Sequence, residues 1–354
     1  MTAPTSRDPN RLPRWFVIAL VVPPTAFLLL FYVWPFTTLL WRGLDADAVA
    51  DTLRRGATWR VLWFTLWQAV ASTVLTLVAG LGPAWAVSRF TFPGRRFLLG
   101  VLTAVFVLPT VVVGAAIIAL LPESLDRGIW AILGAHVVFN LAVVVRTVGA
   151  VWERLPADLE HAAATLGASP WRTFRHVTLP LLRPSIAAAA AIVFLFTFTS
   201  YGVIRVLGTT GRVTIEVEVW RRATQLGDIG GAAVLAVLQL LALAALVVVS
   251  ARVQRRSSRV LEVAARPRRR TPAGRERWLV GLAAGGAAAL VITPLVALVE
   301  RSLHDGDRYS LRAWRNLDNT EIRPGLTLGI DPIGALWRSV TTAAWATLIA
   351  VVLG

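Results

Sequence analysis

The sequence predicts an all-α fold, that of a polytopic helical membrane protein. Of its 354 residues, 56% are hydrophobic and only 16% are charged, a composition well outside that of ordinary soluble domains. Long uncharged segments recur along the chain, and a helix that crosses the hydrocarbon layer needs about 20 mostly apolar residues. The segments are too long for barrel strands, and lipid does not tolerate unpaired backbone groups, so helices are the spanning structure that fits.

Eight uncharged segments are the candidate spans, in chain order. The first has 27 residues, which is too long for the apolar part of a secretory signal, so we expect it to remain as a span. Seven segments are long enough to cross a bilayer, and we expect the eighth to be cut short. They are 15–41, 61–88, 97–122, 128–145, 184–204, 229–251, 278–299 and 339–354.

The strong positive charge has a membrane explanation. A formal net charge of +16 is also typical of nucleic-acid-binding proteins, but all 36 basic residues are Arg, and they are unevenly distributed. With a cytoplasmic N-terminus and alternating spans, the inner segments hold 21 Arg against 6 acids, and the outer segments hold 15 against 14. This asymmetry follows the positive-inside rule. We therefore predict a membrane protein with a cytoplasmic N-terminus and no nucleic-acid partner.

The residue types that are missing exclude several kinds of chemistry. Without Lys the chain has no GxxxxGK phosphate-binding loop, and without Cys it has no thiolate nucleophile or Cys-based metal site. The four histidines include no HExxH pair of zinc hydrolases; they are His136, His161, His176 and His304. The sequence therefore predicts no catalytic residue, no metal site and no cofactor.

A helix pattern restarts late in the chain. Leu62 and Trp63 recur as Leu336 and Trp337 at an offset of 274 residues. The same offset matches further identities: Ala69 with Ala343, Thr73 with Thr347, Val78 with Val352 and Gly80 with Gly354. This repeat favours one six-helix unit followed by the first two helices of a second unit.

The repeat divides the chain into four regions. Residues 1–60 would hold an N-terminal span and an outer segment, and residues 61–251 would hold the rest of the first unit. Residues 252–277 would form a basic cytoplasmic linker, because this segment is rich in Arg and contains two prolines. Residues 278–354 would be the start of the second unit, truncated at its second helix.

The inner segment 155–180 has the punctuation of two short helices. Pro156 suits a first helical turn, and Gly167 suits the position just past a helix C-terminus. Ser169 followed by Pro170 is an N-cap and first-turn pair that begins a second helix. We therefore expect a rigid helix pair on the cytoplasmic surface. The alternative is an amphipathic helix that lies on the membrane without a partner.

This segment resembles the EAA loop of type I ABC importer permeases. Ala162 and Ala163 are followed after three residues by Gly167, and after nine more by Val177-Thr178-Leu179-Pro180. The family pattern is Glu-Ala-Ala, Gly and Ile-x-Leu-Pro at the same spacing. In this chain His161 occupies the position of the Glu, and Glu160 comes one residue earlier.

The resemblance implies a type I ABC permease (MetI-like) six-helix unit plus the start of a second. It also implies that segment 155–180 couples the permease to separate ATP-binding cassette subunits. The residues implied to make this contact are Glu160, His161, Ala162, Ala163, Gly167, Arg172, Leu179 and Pro180.

A second resemblance narrows the branch of the family. Residues 194–208, 214–220 and 235–239 are similar to the first half of fused permeases for ferric iron and thiamine. This similarity implies an importer of the bacterial plasma membrane, with a periplasmic or lipid-anchored solute-binding protein as a further partner. It implies ferric iron or thiamine as the solute.

Polar residues at membrane depth are candidates for the translocation path, because they are costly unless they face protein or water. The alternative is a purely structural role in interhelical hydrogen bonding, worth about 0.6 kcal/mol per bond. The sequence does not decide between the two roles. The candidates are Asn140, Thr197, Thr199, Ser200, Tyr201 and Gln239.

Two other functions are compatible with a polytopic protein. A membrane enzyme would need a cluster of catalytic groups, and Glu216 with Glu218 is the nearest thing to a carboxylate pair. In an extended segment the two would share a face, about 7 Å apart. A proton-driven transporter would need acids buried within its helices, whereas the predicted spans contain none.

Overall fold

The structure is a computed structural model that describes residues 13–257, 269–306, 308–317, 321–323, 326–327 and 331–353. Within these residues, seven helices are long and apolar enough to cross a membrane, or eight if one bent pair counts as a single span. The predicted all-α, multi-pass architecture is therefore confirmed. The chain divides into two compact units, one formed by Met1–Leu44 with Leu303–Gly354 and the other by Asp45–Ser302.

In the first unit, a continuous helix spans Trp15–Gly43. Helix α1 (Arg14–Leu28) passes through a π-helical turn, Leu29–Val33, into α2 (Trp34–Gly43). The turn widens the helix just before Pro35, where proline lacks an N–H and would clash with the carbonyl four residues earlier.

The C-terminal part of the first unit ends in a helix that is longer than predicted. It follows two short strand pairs and a single helical turn. Because the helix begins at Pro332 and continues through Arg338, it has 22 residues and is long enough to span. The expectation of a shortened eighth span was therefore wrong, since a charge does not end a helix. The elements are β1 (His304–Asp305), β2 (Arg308–Tyr309), α15 (Arg312–Arg315), β3 (Glu321–Arg323), β4 (Leu326–Thr327) and α16 (Pro332–Leu353).

The described residues of the second unit form twelve helices and two further π-helical turns, Phe174–Thr178 and Arg222–Leu226. Part of the predicted linker, residues 258–268, lies outside the described residues. The helices are α3 (Ala46–Arg54), α4 (Gly56–Arg89), α5 (Arg95–Val107), α6 (Thr110–Leu120), α7 (Ile129–Arg154), α8 (Ala157–Thr165), α9 (Pro170–Thr173), α10 (Leu179–Phe198), α11 (Gly202–Leu207), α12 (Ile215–Arg221), α13 (Ile229–Ser257) and α14 (Arg275–Ser302).

Helix α7 forms the centre of the second unit. It packs against α4, α5, α6 and α10, and 78% of its most apolar window is buried. Gly80 allows α4 to approach it closely, because a Cβ at this position would lie 2.6 Å from Cγ1 of Val144. Helix α14 packs on the outside of α4, α5 and α6. The core therefore depends on the contact between α4 and α7.

The predicted third span, 97–122, is interrupted. The structure has two helices, α5 and α6, with a bend of 109° between them. Pro109 restricts the preceding residue, and Leu108 is extended with φ −61° and ψ 144°. The two helices pass the length and composition test for a span only as a bent pair, so the predicted third span is a broken helix and not a continuous one.

The predicted fifth span, 184–204, has different limits in the structure. A continuous helix covers Pro170–Phe198, so the second short helix of segment 155–180 runs directly into the span. A π-helical turn ends just before Leu179 and accommodates Pro180. The helix then ends at Phe198, and the chain resumes as α11 at Gly202.

The two glutamates of the rival enzyme hypothesis lie apart, because α12 is helical and not extended. Burial raises the pKa of Glu216, although a hydrogen bond from Nε2 of Gln239 (2.9 Å) opposes this rise. Burial alone would also raise the pKa of Glu218, but hydrogen bonds from Arg221 and Arg222 hold it below its ordinary value. Each carboxylate thus has its own structural partner, and the two do not form a pair.

The Glu218 cluster provides a test of the fold. Arg222 is 5% exposed and lies 3.0 Å from Glu218, whereas Arg221 is 48% exposed and lies 2.9 Å from the same carboxylate. Replacing a buried ionic partner is strongly destabilising, so R222A should cost about 3 kcal/mol. The half-exposed partner serves as the control, and R221A should cost at most about 1 kcal/mol. Thermal unfolding in detergent, followed by tryptophan fluorescence, would contradict this assignment if both variants lost the same stability.

Candidate functional site

The helix pair in segment 155–180 is built around a glycine turn. Gly167 follows α8 with φ +82°, a conformation that only glycine adopts without strain. The N–H of Gly167 donates to the carbonyl of Ala164 (2.9 Å), and the N–H of Ala168 donates to that of Ala163 (3.0 Å). These two bonds form a Schellman motif, which closes the C-terminus of α8. The predicted conformational role of Gly167 is therefore confirmed.

The second helix of the pair begins as predicted at Ser169 and Pro170. The Ser169 hydroxyl accepts a hydrogen bond from the N–H of Arg172 (3.4 Å), and Pro170 is the first helical residue. The ring of Trp171 stacks on Phe174, which in turn stacks on Trp152 near the end of α7. This aromatic series fixes the helix pair against the membrane bundle.

Glu160 holds α8 to the bundle. Its Oε1 lies 2.5 Å from Nη2 of Arg89, the last residue of α4, and also accepts a hydrogen bond from the Thr178 hydroxyl (3.0 Å). The carboxylate therefore faces the helical bundle, whereas the side chain of the neighbouring His161 is exposed. One residue of offset turns a helix by about 100°, which accounts for the opposite environments of the two side chains.

The free surface of the helix pair combines small and large apolar residues. Leu166 is 87% exposed and Trp171 is 67% exposed, although both lie outside the most apolar segments of the chain. Exposed apolar groups of this size in one place are typical of an interaction surface. Of the residues implied by the EAA resemblance, His161, Ala162, Gly167 and Arg172 are exposed, and Glu160, Ala163, Leu179 and Pro180 are half-buried.

The described end of the predicted linker lies beside the same region. Arg270 forms a backbone bridge with Phe90, and its guanidinium lies over the Phe90 ring at 4.9 Å. The guanidinium also hydrogen-bonds the carboxylate of Glu276, which raises the pKa of Arg270. The adjacent Arg269 pairs with Glu153. The linker is thus anchored next to Arg89, the partner of Glu160.

Three of the six predicted translocation residues come together at a cavity. Helix α10 ends before Thr199, and α11 begins after Tyr201. The three non-helical residues between them, Thr199, Ser200 and Tyr201, line a cavity of about 410 Å³. Pro109 and Thr110, at the break between α5 and α6, line it from the other side. Two helix interruptions therefore meet at one place.

The other three predicted residues lie elsewhere. Thr197 is fully buried against α4, where its carbonyl accepts a hydrogen bond from Gln68 (2.8 Å). Asn140 donates to the carbonyl of His136 (2.9 Å), and Gln239 binds Glu216. Of these three side chains, Gln239 bonds between helices, from α13 to α12, whereas the Asn140 amide bonds within α7 and the Thr197 hydroxyl donates within α10 to the carbonyl of Val193 (2.9 Å).

The sequence analysis missed His136, which also lines the cavity. Its Nδ1 is 2.9 Å from the Ser72 hydroxyl and its Nε2 is 2.9 Å from the Ser200 hydroxyl, so the ring joins α4 to the break after α10. The HExxH zinc motif requires a pair of histidines, so it does not identify a single functional histidine such as His136. A histidine within an uncharged span was itself a signal, because polar groups are costly at that depth.

Taken together, the multi-pass helical bundle, the exposed helix pair at one end and the cavity between broken helices form the architecture of a membrane transport component. The family described as binding-protein-dependent transport system inner membrane component matches residues 77–260, just over half of the chain. The chain belongs to this family.

The fold agrees with this membership. A solved bacterial alginate ABC transporter, in complex with an alginate pentasaccharide-bound periplasmic protein, contains a chain that superposes with a TM-score of 0.56 at 15% identity. The superposition covers 71% of this chain and 96% of that chain. The fold is that of a type I ABC permease (MetI-like).

Two curated relatives show which transporters the chain is similar to. It is 31% identical over 268 residues to the thiamine transport system permease protein ThiP of Escherichia coli K12, covering 71% of this chain and 49% of the relative. It is 27% identical over 226 residues to the putative 2-aminoethylphosphonate transport system permease protein PhnV of Salmonella typhimurium LT2, covering 63% and 84% respectively. The chain therefore spans about half the length of the thiamine permease.

The turn at Gly167 can be tested directly. A side chain at this φ costs about 1–2 kcal/mol and should distort the helix pair, so G167L should abolish transport while membrane insertion is retained. Gly94 provides a matched control, because it has φ +80° and, like Gly167, has open space where a Cβ would lie. G94L carries the same backbone strain outside the helix pair and should keep most of the activity. Wild-type uptake by G167L at normal membrane abundance would contradict a role in coupling.

Proposed function

We propose that this chain is a transmembrane subunit of an ABC importer and that segment 155–180 docks on an ATP-binding cassette subunit. The observation that carries the proposal is the exposed helix pair. It is rigidly closed by the Gly167 turn, fastened to α4 through Glu160, and covered with exposed small and apolar residues. Small residues let the backbone of another protein approach, and Leu166 and Trp171 offer apolar area to bury.

The contacts of the helix pair suggest how docking is transmitted. Coupling requires that ATP binding favour one conformation, so the docked subunit must contact the permease differently in two states. Helix Pro170–Phe198 is continuous from the helix pair to the cavity, and 29 residues span about 43 Å. A displacement of its docked end therefore moves the cavity wall at Thr199 without any flexible connection between them.

The solute proposal rests on the relatives. We propose that a periplasmic or lipid-anchored binding protein delivers an organic solute of the thiamine type. Thiamine is named for a relative that matches 71% of this chain. Ferric iron, which the sequence resemblance also implied, stays an untested alternative. ATP hydrolysis would take place on the partner subunits, and this chain would provide the path.

We also propose a cytoplasmic N-terminus. The Arg-rich segments and the helix pair fall on one side of the membrane in this arrangement, where an ATP-binding subunit has access to nucleotide. The four proposed regions, 1–60, 61–251, 252–277 and 278–354, are retained as predictions. In the structure, α14 of the last region packs on α4, α5 and α6.

Docking can be tested by placing a charge on the exposed surface. L166E should fold normally, because Leu166 is 87% exposed, but it should reduce the ATP-binding subunits that co-purify in detergent. The reduction is expected because an unpaired charge would be buried in the interface. L226E is the matched control, since Leu226 is 58% exposed in another part of the unit. Undiminished co-purification with L166E, measured by mass spectrometry, would refute the docking surface.

Orientation can be tested because the chain has no Cys. W171C should not react with a membrane-impermeant thiol reagent in intact cells, and it should react after the membranes are dissolved in a denaturing detergent, which also removes any docked subunit. L125C, in the turn between α6 and α7, should react in intact cells, because Leu125 is 47% exposed and lies at the other end of α7. Labelling of W171C from outside intact cells would overturn the proposed topology.

A further inference from the structure

We propose that the cavity between the two helix breaks binds the transported solute in transit. We propose further that it takes a ring-bearing organic solute, neutral or with a delocalised positive charge. This inference rests on the proposed permease function, since only a permease holds a solute in transit. It adds a site and a chemical class of solute to that function.

The break between α5 and α6 packs directly against the break between α10 and α11. A Cβ on Gly202, the first residue of α11, would lie 2.2 Å from Oγ1 of Thr110 at the start of α6. The close approach brings two irregular backbone segments to one place inside the helical unit. At membrane depth, irregular backbone is tolerated where it is buried in protein or lines a cavity. The cavity volume of about 410 Å³ is within the range of small-molecule sites, about 300–1,000 Å³.

The lining of the cavity selects against charged inorganic ions. Among the described residues, its side chains include no Asp, Glu or Arg. A bare metal cation such as Fe³⁺ would therefore lose its hydration without gaining a carboxylate ligand. An inorganic or phosphonate anion would likewise find no guanidinium to pair with. The lining thus favours solutes whose charge is absent or spread over a ring.

Aromatic rings supply the attractive part of the site. Phe139 and Phe196 line the cavity and contact each other edge to face, with ring centroids 6.2 Å apart. Phe106 packs against both rings, at 5.2 Å and 5.4 Å, and holds them in place. Aromatic faces stack on planar rings and attract positive charge through cation–π interactions. The hydroxyls of Thr199 and Ser200 at the same wall already bond Leu195 and His136, so they offer the solute their remaining acceptor lone pairs.

His136 is a positioning residue in this arrangement. Both of its ring nitrogens are within 2.9 Å of serine hydroxyls, one on α4 and the other on Ser200. The ring is 2% exposed, so its orientation is fixed by these two bonds. It therefore holds the irregular segment 199–201 against the bundle and sets the shape of the cavity wall.

The test uses cysteine accessibility in the purified full chain. T199C places a thiol at the cavity, and T73C is the matched control. Both hydroxyls bond the carbonyl four residues earlier, Thr199 to Leu195 and Thr73 to Ala69, but Thr73 does not line the cavity. The probe reagent is 2-aminoethyl methanethiosulfonate in detergent. T199C should be labelled, and T73C should be labelled at least about tenfold more slowly because it is 7% exposed.

The class of solute that binds is determined by which solutes protect T199C from labelling. Thiamine, used as the probe solute at ten times its Kd, should slow labelling by about tenfold. Neither 2-aminoethylphosphonate nor ferric citrate should protect at the same concentration. In the T199C background, F196L should weaken protection by thiamine, measured relative to labelling of the same variant without thiamine, whereas F196Y, which retains the ring, should preserve protection.

Three results would overturn the inference. Failure to label T199C would show that the cavity is not accessible, and equal protection by 2-aminoethylphosphonate would refute the solute class. Lack of protection by thiamine would refute it as well. None of these measurements involves the ATP-binding subunits. If these subunits co-purify with the chain while protection fails, the permease function stands and only the cavity site is refuted.

Discussion

The structure depends on one constraint, the high cost of an unpaired backbone N–H or C=O in lipid. Continuous helices satisfy it over most of the second unit. Two interruptions fall inside predicted spans, one at Pro109 and one at residues 199–201; both line the cavity, and His136 joins the second of them to α4. A polar stripe on α4, including Gln68 and Ser72, supplies hydrogen bonds to the facing helices. The irregular segment 199–201 and the polar side chains of α4 are therefore joined by hydrogen bonds.

The helix pair obeys a different requirement, because it must remain rigid while most of its surface is uncovered. Local hydrogen bonds achieve this without a hydrophobic core of its own. The Schellman turn closes α8, Ser169 caps α9, and Glu160 connects α8 to Arg89 and Thr178. If an ATP-binding subunit docks on this surface, as we propose, its displacement is not absorbed by local rearrangement, and helix Pro170–Phe198 extends directly from the surface.

The length of the uncharged segments was sufficient to predict the fold class and most spans, because a helix that crosses the hydrocarbon layer is recognised by its length and apolar composition. The limits of the helices were less predictable. Charges at Arg146 and Arg338 do not end α7 and α16, and Pro180 is accommodated while Pro109 breaks its helix. Spacing identified the helix pair, including the conformation of Gly167. It could not show that Glu160 faces the bundle, or that His136 lies beside Ser200, since both depend on packing between distant segments.

The π-helical turn Phe174–Thr178 has a consequence for helical phase. Such a turn contains one more residue than an α-helical path of the same height, so the side chains before it are rotated by about 100° relative to those after it. A helical wheel drawn continuously through Pro180 would therefore assign Trp171 to the wrong side of α10. Conversely, the direction in which α9 presents Trp171 relative to α10 is set by the number of residues in this turn. A change of one residue there would rotate the exposed face of α9, the proposed docking surface, while every side chain on it remained the same.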